Sequence, residues 1–266
     1  MTAWLNLTKK ELRLGLPAFI MPIVAFFIIV AISAYFGNRY GFLGETITAV
    51  AFAATAIQVF YLVYYFIHSL STEKKKMHLW LHNPMPAYKL ILAKLVAAIT
   101  TMAVTFIITG TTFLLALNST KIIPIEIPWT YVMELGFLGS IHLLLLAINL
   151  AVLFLFFWMI FLLFTRTLGN FASFALSFLL FMVLNGFLYG WVTSSALYDT
   201  LTMWGSINLG DILSSASVNF NLEMGADITG ETSELIIYLG TYLFDAIQTV
   251  ILFFASCWIL DRKVEV

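Results

Sequence analysis

Asp245 lies inside a long apolar run near the C-terminal end of the chain, with Gln248 and Thr249 three and four residues on, at spacings that share one helix face. A carboxylate in such a setting costs about 2.5–3.5 kcal/mol on insertion scales, so it needs water, a cation or a hydrogen-bond partner. Two uses fit: lining an exit path, or a hydrogen-bonded knot that fixes helix packing. Gln58, Tyr61 and Tyr65 fall at i, i+3 and i+7, with His68 continuing the stripe. His142 and Asn149 stand one heptad apart, and Asn185 stands alone. Mixed polar and aromatic stripes suit the path of an amphipathic solute. They also suit interhelical hydrogen bonds, which are their commoner use.

Catalytic chemistry is harder to build. His78 and His82 have the i, i+4 spacing of a two-ligand metal site, but no third ligand stands nearby, so the expectation is no metal. No G-x-x-x-x-G-K-[ST] loop, H-E-x-x-H or G-x-S-x-G motif occurs. Cys257 is the sole cysteine, which leaves no intrachain disulfide and no thiolate metal site. The expectation is a non-catalytic chain that binds no cofactor of its own.

The elements that must hold these residues are set by composition. Of 266 residues, 62% are apolar and 10% charged, against roughly 45–50% and 25% in soluble domains. Mean hydropathy is +0.99. These values exclude a soluble enzyme, a nucleic-acid binder and a disordered scaffold. A net charge of −1 provides no field to recruit nucleic acid.

A helical span takes roughly 20 mainly apolar residues, and six segments qualify: 17–36, 47–70, 90–117, 141–164, 169–192 and 235–260. None alternates strictly, which argues against a barrel. The first is too long for a cleavable signal peptide and has no small-residue cleavage site near Phe36–Arg39. The chain therefore reads as one all-α transmembrane domain over 1–266. Lys9, Lys10, Arg13, Lys74, Lys75, Lys76, Lys89, Lys94, Arg166, Arg262 and Lys263 fall on one side, with only Arg39 and Lys121 on the other. That bias predicts both termini in the cytoplasm. Trp129, Tyr131 and Trp191 fit aromatic anchors at the outer interface. The outer segment 193–234 carries Asp199, Asp211, Glu223, Asp227, Glu231 and Glu234 without a basic residue, and is expected as short helices in the interface.

Two cytoplasmic segments stand out. Residues 1–16 interleave Trp4 and Leu5 with Lys9, Lys10 and Arg13, the pattern of a helix lying in the interface, ended by Pro17. Residues 72–84 form a second helix, capped by Ser71 or Thr72 with Glu73 in its first turn, and ending before Pro84. It carries Lys74, Lys75 and Lys76 and then Leu79, Trp80 and Leu81, too few apolar residues to span. A basic turn and a helix that lies on lipid or docks into a partner both fit.

An interfacial helix, six spans, and a segment from Glu73-Lys74 to Pro84 and Pro86 followed by Lys94 resemble the permease subunits of type-2 ATP-binding-cassette exporters. The resemblance covers the whole chain in topology, with its residue specificity in 73–94. It implies that 1–16 is the elbow helix, that 72–84 is the coupling helix docking into the ATPase, and that 193–234 is re-entrant. The Lys-rich segment ending Leu81-His82-Asn83-Pro84 resembles firmicute permeases exporting cytolytic peptides of the phenol-soluble-modulin kind. The resemblance implies two cytoplasmic ATPase subunits that bind ATP and Mg, a second permease copy or homologue, membrane lipid, and an amphipathic peptide or hydrophobic substrate in a bacterial plasma membrane. The rival readings are a proton- or cation-coupled secondary transporter using Asp245, a membrane-embedded enzyme, and a peptide-sensing or immunity subunit.

Overall fold

The computed structural model describes residues 2–74, 85–120, 129–208 and 236–264. Lys75, Lys76, His78, Leu79, Trp80, Leu81, His82 and Pro84, and the acidic residues from Asp211 to Glu234, lie outside the described residues. So do the side chains of Trp129, Tyr131, Arg166 and Lys263.

Among the described residues six helices are long and apolar enough to cross a membrane: Leu16–Tyr40, Leu43–Lys74, Ala87–Leu117, Val132–Thr165, Thr167–Thr193 and Leu239–Arg262, here spans 1 to 6. The chain is an all-α, multi-pass membrane protein. A further helix, Thr2–Leu14, precedes the spans and packs on span 3. Its inner face is Leu7, Thr8 and Glu11, whereas Leu5, Lys9, Lys10 and Arg13 face outward and Trp4 is half-buried.

Span 2 packs with its first half between spans 1 and 3 and its second half on span 4, while span 6 lies along span 4. The core is where spans 2, 3 and 4 meet, around Leu62, Tyr65, Phe66, Ile91 and Leu155. Alanines 93, 97, 98, 147 and 151 are fully buried there, and their small side chains let the backbones approach closely. Span 3 is the most enclosed helix, and spans 1 and 5 are the least.

Several expected boundaries move. Pro17 does not end the N-terminal helix; that helix stops at Leu14, and Pro17 sits in the first turn of span 1, where its missing N–H costs nothing. Ser71 and Thr72 cap no new helix. The second half of span 2 continues as α-helix through Ser71 and Thr72 to Lys74, where this stretch of described residues stops; the Thr72 hydroxyl donates back to the His68 carbonyl (2.8 Å), and Glu73 belongs to the same helix. Spans 4 and 5 are parted only at Gly169, whose φ of 76° and ψ of 171° suit glycine alone. Span 6 begins at Leu239, because Ile236–Tyr238 (β2) pairs antiparallel with Ser206–Asn208 (β1), Ile207 opposite Ile237. Segment 193–234 holds, among the described residues, one short helix, Ala196–Thr202, capped by the Ser195 side chain. Its base, however, is this two-stranded ladder.

Candidate functional site

The densest polar chemistry sits where the N-terminal helix, the end of span 2 and the start of span 3 converge. Lys94 is fully buried, with its Nζ 2.6 Å from Glu11 Oε2 and 2.7 Å from Glu73 Oε2. It donates to Ser69 Oγ at 2.9 Å, and Ser69 in turn reaches Glu11 at 3.5 Å. Glu11 and Glu73 are themselves buried, at 2% and 8% exposure. Two carboxylates thus share one ammonium, a net charge of −1 over the three groups when both are ionised. Glu73 Oε1 takes no hydrogen bond from the described residues.

Neighbouring contacts brace this knot. The Tyr65 hydroxyl donates to the Glu11 carbonyl at 2.9 Å, and a Cβ at Gly15 would overlap the Tyr65 ring, so only glycine lets the chain turn there. Trp4 Nε1 donates to the Lys89 carbonyl (3.2 Å), which pins the N-terminal helix to the head of span 3. Ala87 N donates to Asp261 Oδ1 (3.1 Å), which brings the end of span 6 to the same place. A buried charge cannot be left without its counterion, so these helix ends must shift together or break the pairing. The arrangement can transmit displacement from one helix to another.

The expected stripes separate on closer view. Gln58, in a 3₁₀ turn inside span 2, accepts from Thr105 (3.2 Å). With Tyr61 it lines a 430 Å³ cavity between spans 1 and 2. Tyr65 lines no cavity described; it is buried in the knot. Toward the other end of the bundle, His142 Nδ1 lies 2.7 Å from the Tyr242 hydroxyl, and Asn149 donates to Thr249 at 3.0 Å. Both rungs join residues 100 apart, so spans 4 and 6 run parallel in register, one heptad between rungs. Asp245 and Thr249 border a 220 Å³ cavity with His142, Tyr242 and Asn149. Gln248 turns away to a second cavity of 380 Å³, beside Asn185 and Tyr189. Thr249 gives its hydrogen to the Asp245 carbonyl, not to the carboxylate. The expected trio of Asp245, Gln248 and Thr249 is therefore not one cluster.

A cavity of 840 Å³ lies between spans 2, 4 and 5. Its walls are Phe60 and Val63 from span 2, Phe154, Phe157, Trp158 and Phe161 from span 4, and Phe174, Phe178 and Phe181 from span 5. At the basic end Lys74 closes it, with Nζ 4.5 Å from the centre of the Phe161 ring and 3.2 Å from Asn170 Oδ1. Arg13, Lys9 and Lys10 stay outside this cavity, on the outward face of the N-terminal helix.

Sequence reasoning missed Glu11, Ser69 and the buried pairing of Lys94, which it used as a topological charge and as the lysine that begins span 3 in the family resemblance. One signal was available: Glu11 is the sole acid before Glu45, and an acid within a basic interfacial helix needs a reason. No protein-family model, curated protein or solved structure matches this chain.

Proposed function

We propose that this multi-pass membrane protein is the membrane-spanning permease subunit of a type-2 ATP-binding-cassette exporter, moving an amphipathic or hydrophobic substrate, such as a cytolytic peptide, outward. The observation that carries the reading is the Glu11–Lys94–Glu73 knot. It ties the helix read as the elbow to the helix that leads into segment 75–84 and to the head of span 3. A push on 75–84 from a nucleotide-driven partner would reach span 2 directly, and span 3 and the N-terminal helix through Lys94.

In this reading the basic end faces the cytoplasm, with both termini there, in a bacterial plasma membrane. Lys75, Lys76, Leu79, Trp80, Leu81 and Pro84 dock into the ATPase, and two copies of that separate chain bind ATP and Mg. Spans 1 and 5, the least enclosed, are the faces left for a second permease copy or a homologue. This chain itself performs no catalysis. The test is purification of the tagged chain from native membranes with mass spectrometry of what accompanies it. A stoichiometric P-loop ATPase is expected, lost on replacing Leu79 and Trp80 with Lys. Recovery of the chain with no ATPase at any detergent concentration would overturn the reading.

The cavity holding Asp245, His142 and Tyr242 favours a second reading, a proton- or cation-coupled transporter. Nucleotide-free proteoliposomes would then move solute under an ion gradient, and Asp245→Asn would abolish that movement.

A further inference from the structure

We propose that the aromatic cavity between spans 2, 4 and 5 is a binding site for an anionic glycerophospholipid, its phosphate at Lys74 and an acyl chain lying among the phenylalanines. Shape comes first. The cavity holds 840 Å³, inside the range of about 300–1,000 Å³ that encloses small ligands. It extends along span 2 from Lys74 to Phe60, roughly 20 Å at 1.5 Å per residue. That is more than one leaflet of a hydrocarbon core about 30 Å thick, so the space suits a long chain aligned with the helices.

Charge comes second. Among the described residues Lys74 has no carboxylate within ion-pair distance; its neighbours are the Asn170 carbonyl oxygen and the face of Phe161. Both orient an ammonium without neutralising it, and a phosphate would complete the set. A second polar group points to the same ligand. Ser177 lines the cavity, is only 6% exposed, and its hydroxyl has no hydrogen-bond partner. A buried serine ordinarily donates to its own helix, as Ser173 does to the Gly169 carbonyl. Ser177 is left to serve an acceptor in the cavity, deeper than Lys74. An anionic head, an ester oxygen below it and a hydrocarbon tail match this order of groups. Entry is lateral, because Phe174 and Phe178 on the span 5 wall are 63% and 50% exposed. Lipid occupancy does not depend on whether the chain transports anything.

Trp158 in the wall supplies the readout. The full chain in phosphatidylcholine nanodiscs is titrated with phosphatidylglycerol brominated in its acyl chain, and separately with brominated phosphatidylcholine. Subtracting the Trp158→Phe variant isolates quenching of that one indole. Phosphatidylglycerol should quench Trp158 at a mole fraction roughly fivefold lower than phosphatidylcholine, the scale of one surface lysine on an anionic lipid. Lys74→Gln should remove the preference and Lys74→Arg should keep it, which separates lost charge from lost fold. Equal quenching by the two lipids in the unsubstituted chain, or a preference that survives Lys74→Gln, overturns the assignment. So does an amphipathic peptide that protects Trp158 from brominated phosphatidylglycerol at equimolar amounts, which would give the cavity to a peptide.

Discussion

At the basic end of the bundle three helices meet on Lys94, fully buried between Glu11 and Glu73. Toward the other end spans 4 and 6 meet on two neutral contacts, His142 with Tyr242 and Asn149 with Thr249. The first region spends buried charge and is braced by Tyr65, Ser69 and Trp4; the second is half-exposed and uses single bonds a heptad apart. Charge in a dry site is stiff, because a small shift leaves an ion unpaired at a cost of several kcal/mol. Neutral rungs in a membrane average about 0.6 kcal/mol and can be broken and remade. The difference makes the basic end the costlier of the two to pull apart and the spans 4–6 seam the cheaper.

The largest expected effect breaks the charged region. Lys94→Met leaves two carboxylates buried against each other and should cost about 3–5 kcal/mol, read as a fall in the denaturation midpoint of the purified chain. Charge balance then sharpens the test. Glu73→Gln leaves one acid on one ammonium and removes an oxygen that has no partner among the described residues, so it should cost under about 1 kcal/mol. The triple variant Glu11→Gln, Glu73→Gln, Lys94→Met should recover most of the single-variant loss. A Lys94→Met protein as stable as the parent would show that the knot carries no such weight.

Next comes the brace. Gly15→Ala drives a methyl into the Tyr65 ring and should cost about 1–3 kcal/mol, with partial relief when Tyr65 is replaced by Leu. Additive losses in the pair would mean that the two residues do not meet.

The six spans were legible because each rests on a local property, some twenty apolar residues in sequence, and the structure alters only their ends. Boundary errors have local causes too: β2 takes the first residues expected of span 6, since Ile236, Ile237 and Tyr238 favour a strand where a partner is at hand. The heptad of His142 and Asn149 was readable as a stripe, and its partners Tyr242 and Thr249 repeat the same interval. The knot was not readable. Glu11 and Lys94 are 83 residues apart and follow no shared period, and their pairing is decided by how three helices pack. The aromatic cavity was hidden for the same reason: its phenylalanines look like ordinary span residues until spans 2, 4 and 5 are set side by side.

On the neutral seam the expected effect is small. A double-mutant cycle of Asn149→Leu and Thr249→Val should return a coupling near 0.6 kcal/mol. A coupling above about 2 kcal/mol would erase the contrast between the two ends.

The smallest and most telling change is at Asp245. A structural carboxylate would be held by partners, and the two that share its sequence neighbourhood do not hold it. Gln248 faces another cavity, and Thr249 bonds the Asp245 backbone. Asp245→Asn should therefore leave the denaturation midpoint unchanged, and Asp245→Leu should hold or raise it, since an apolar side chain is preferred in hydrocarbon by up to a few kcal/mol over a carboxylate. A clear loss of stability in the Leu variant would reveal a strong bond and make this seam as charge-dependent as the basic end. If the chain is the permease proposed above, flux measured on the stable Asn variant reads what the carboxylate does in the 220 Å³ cavity beside His142 and Tyr242.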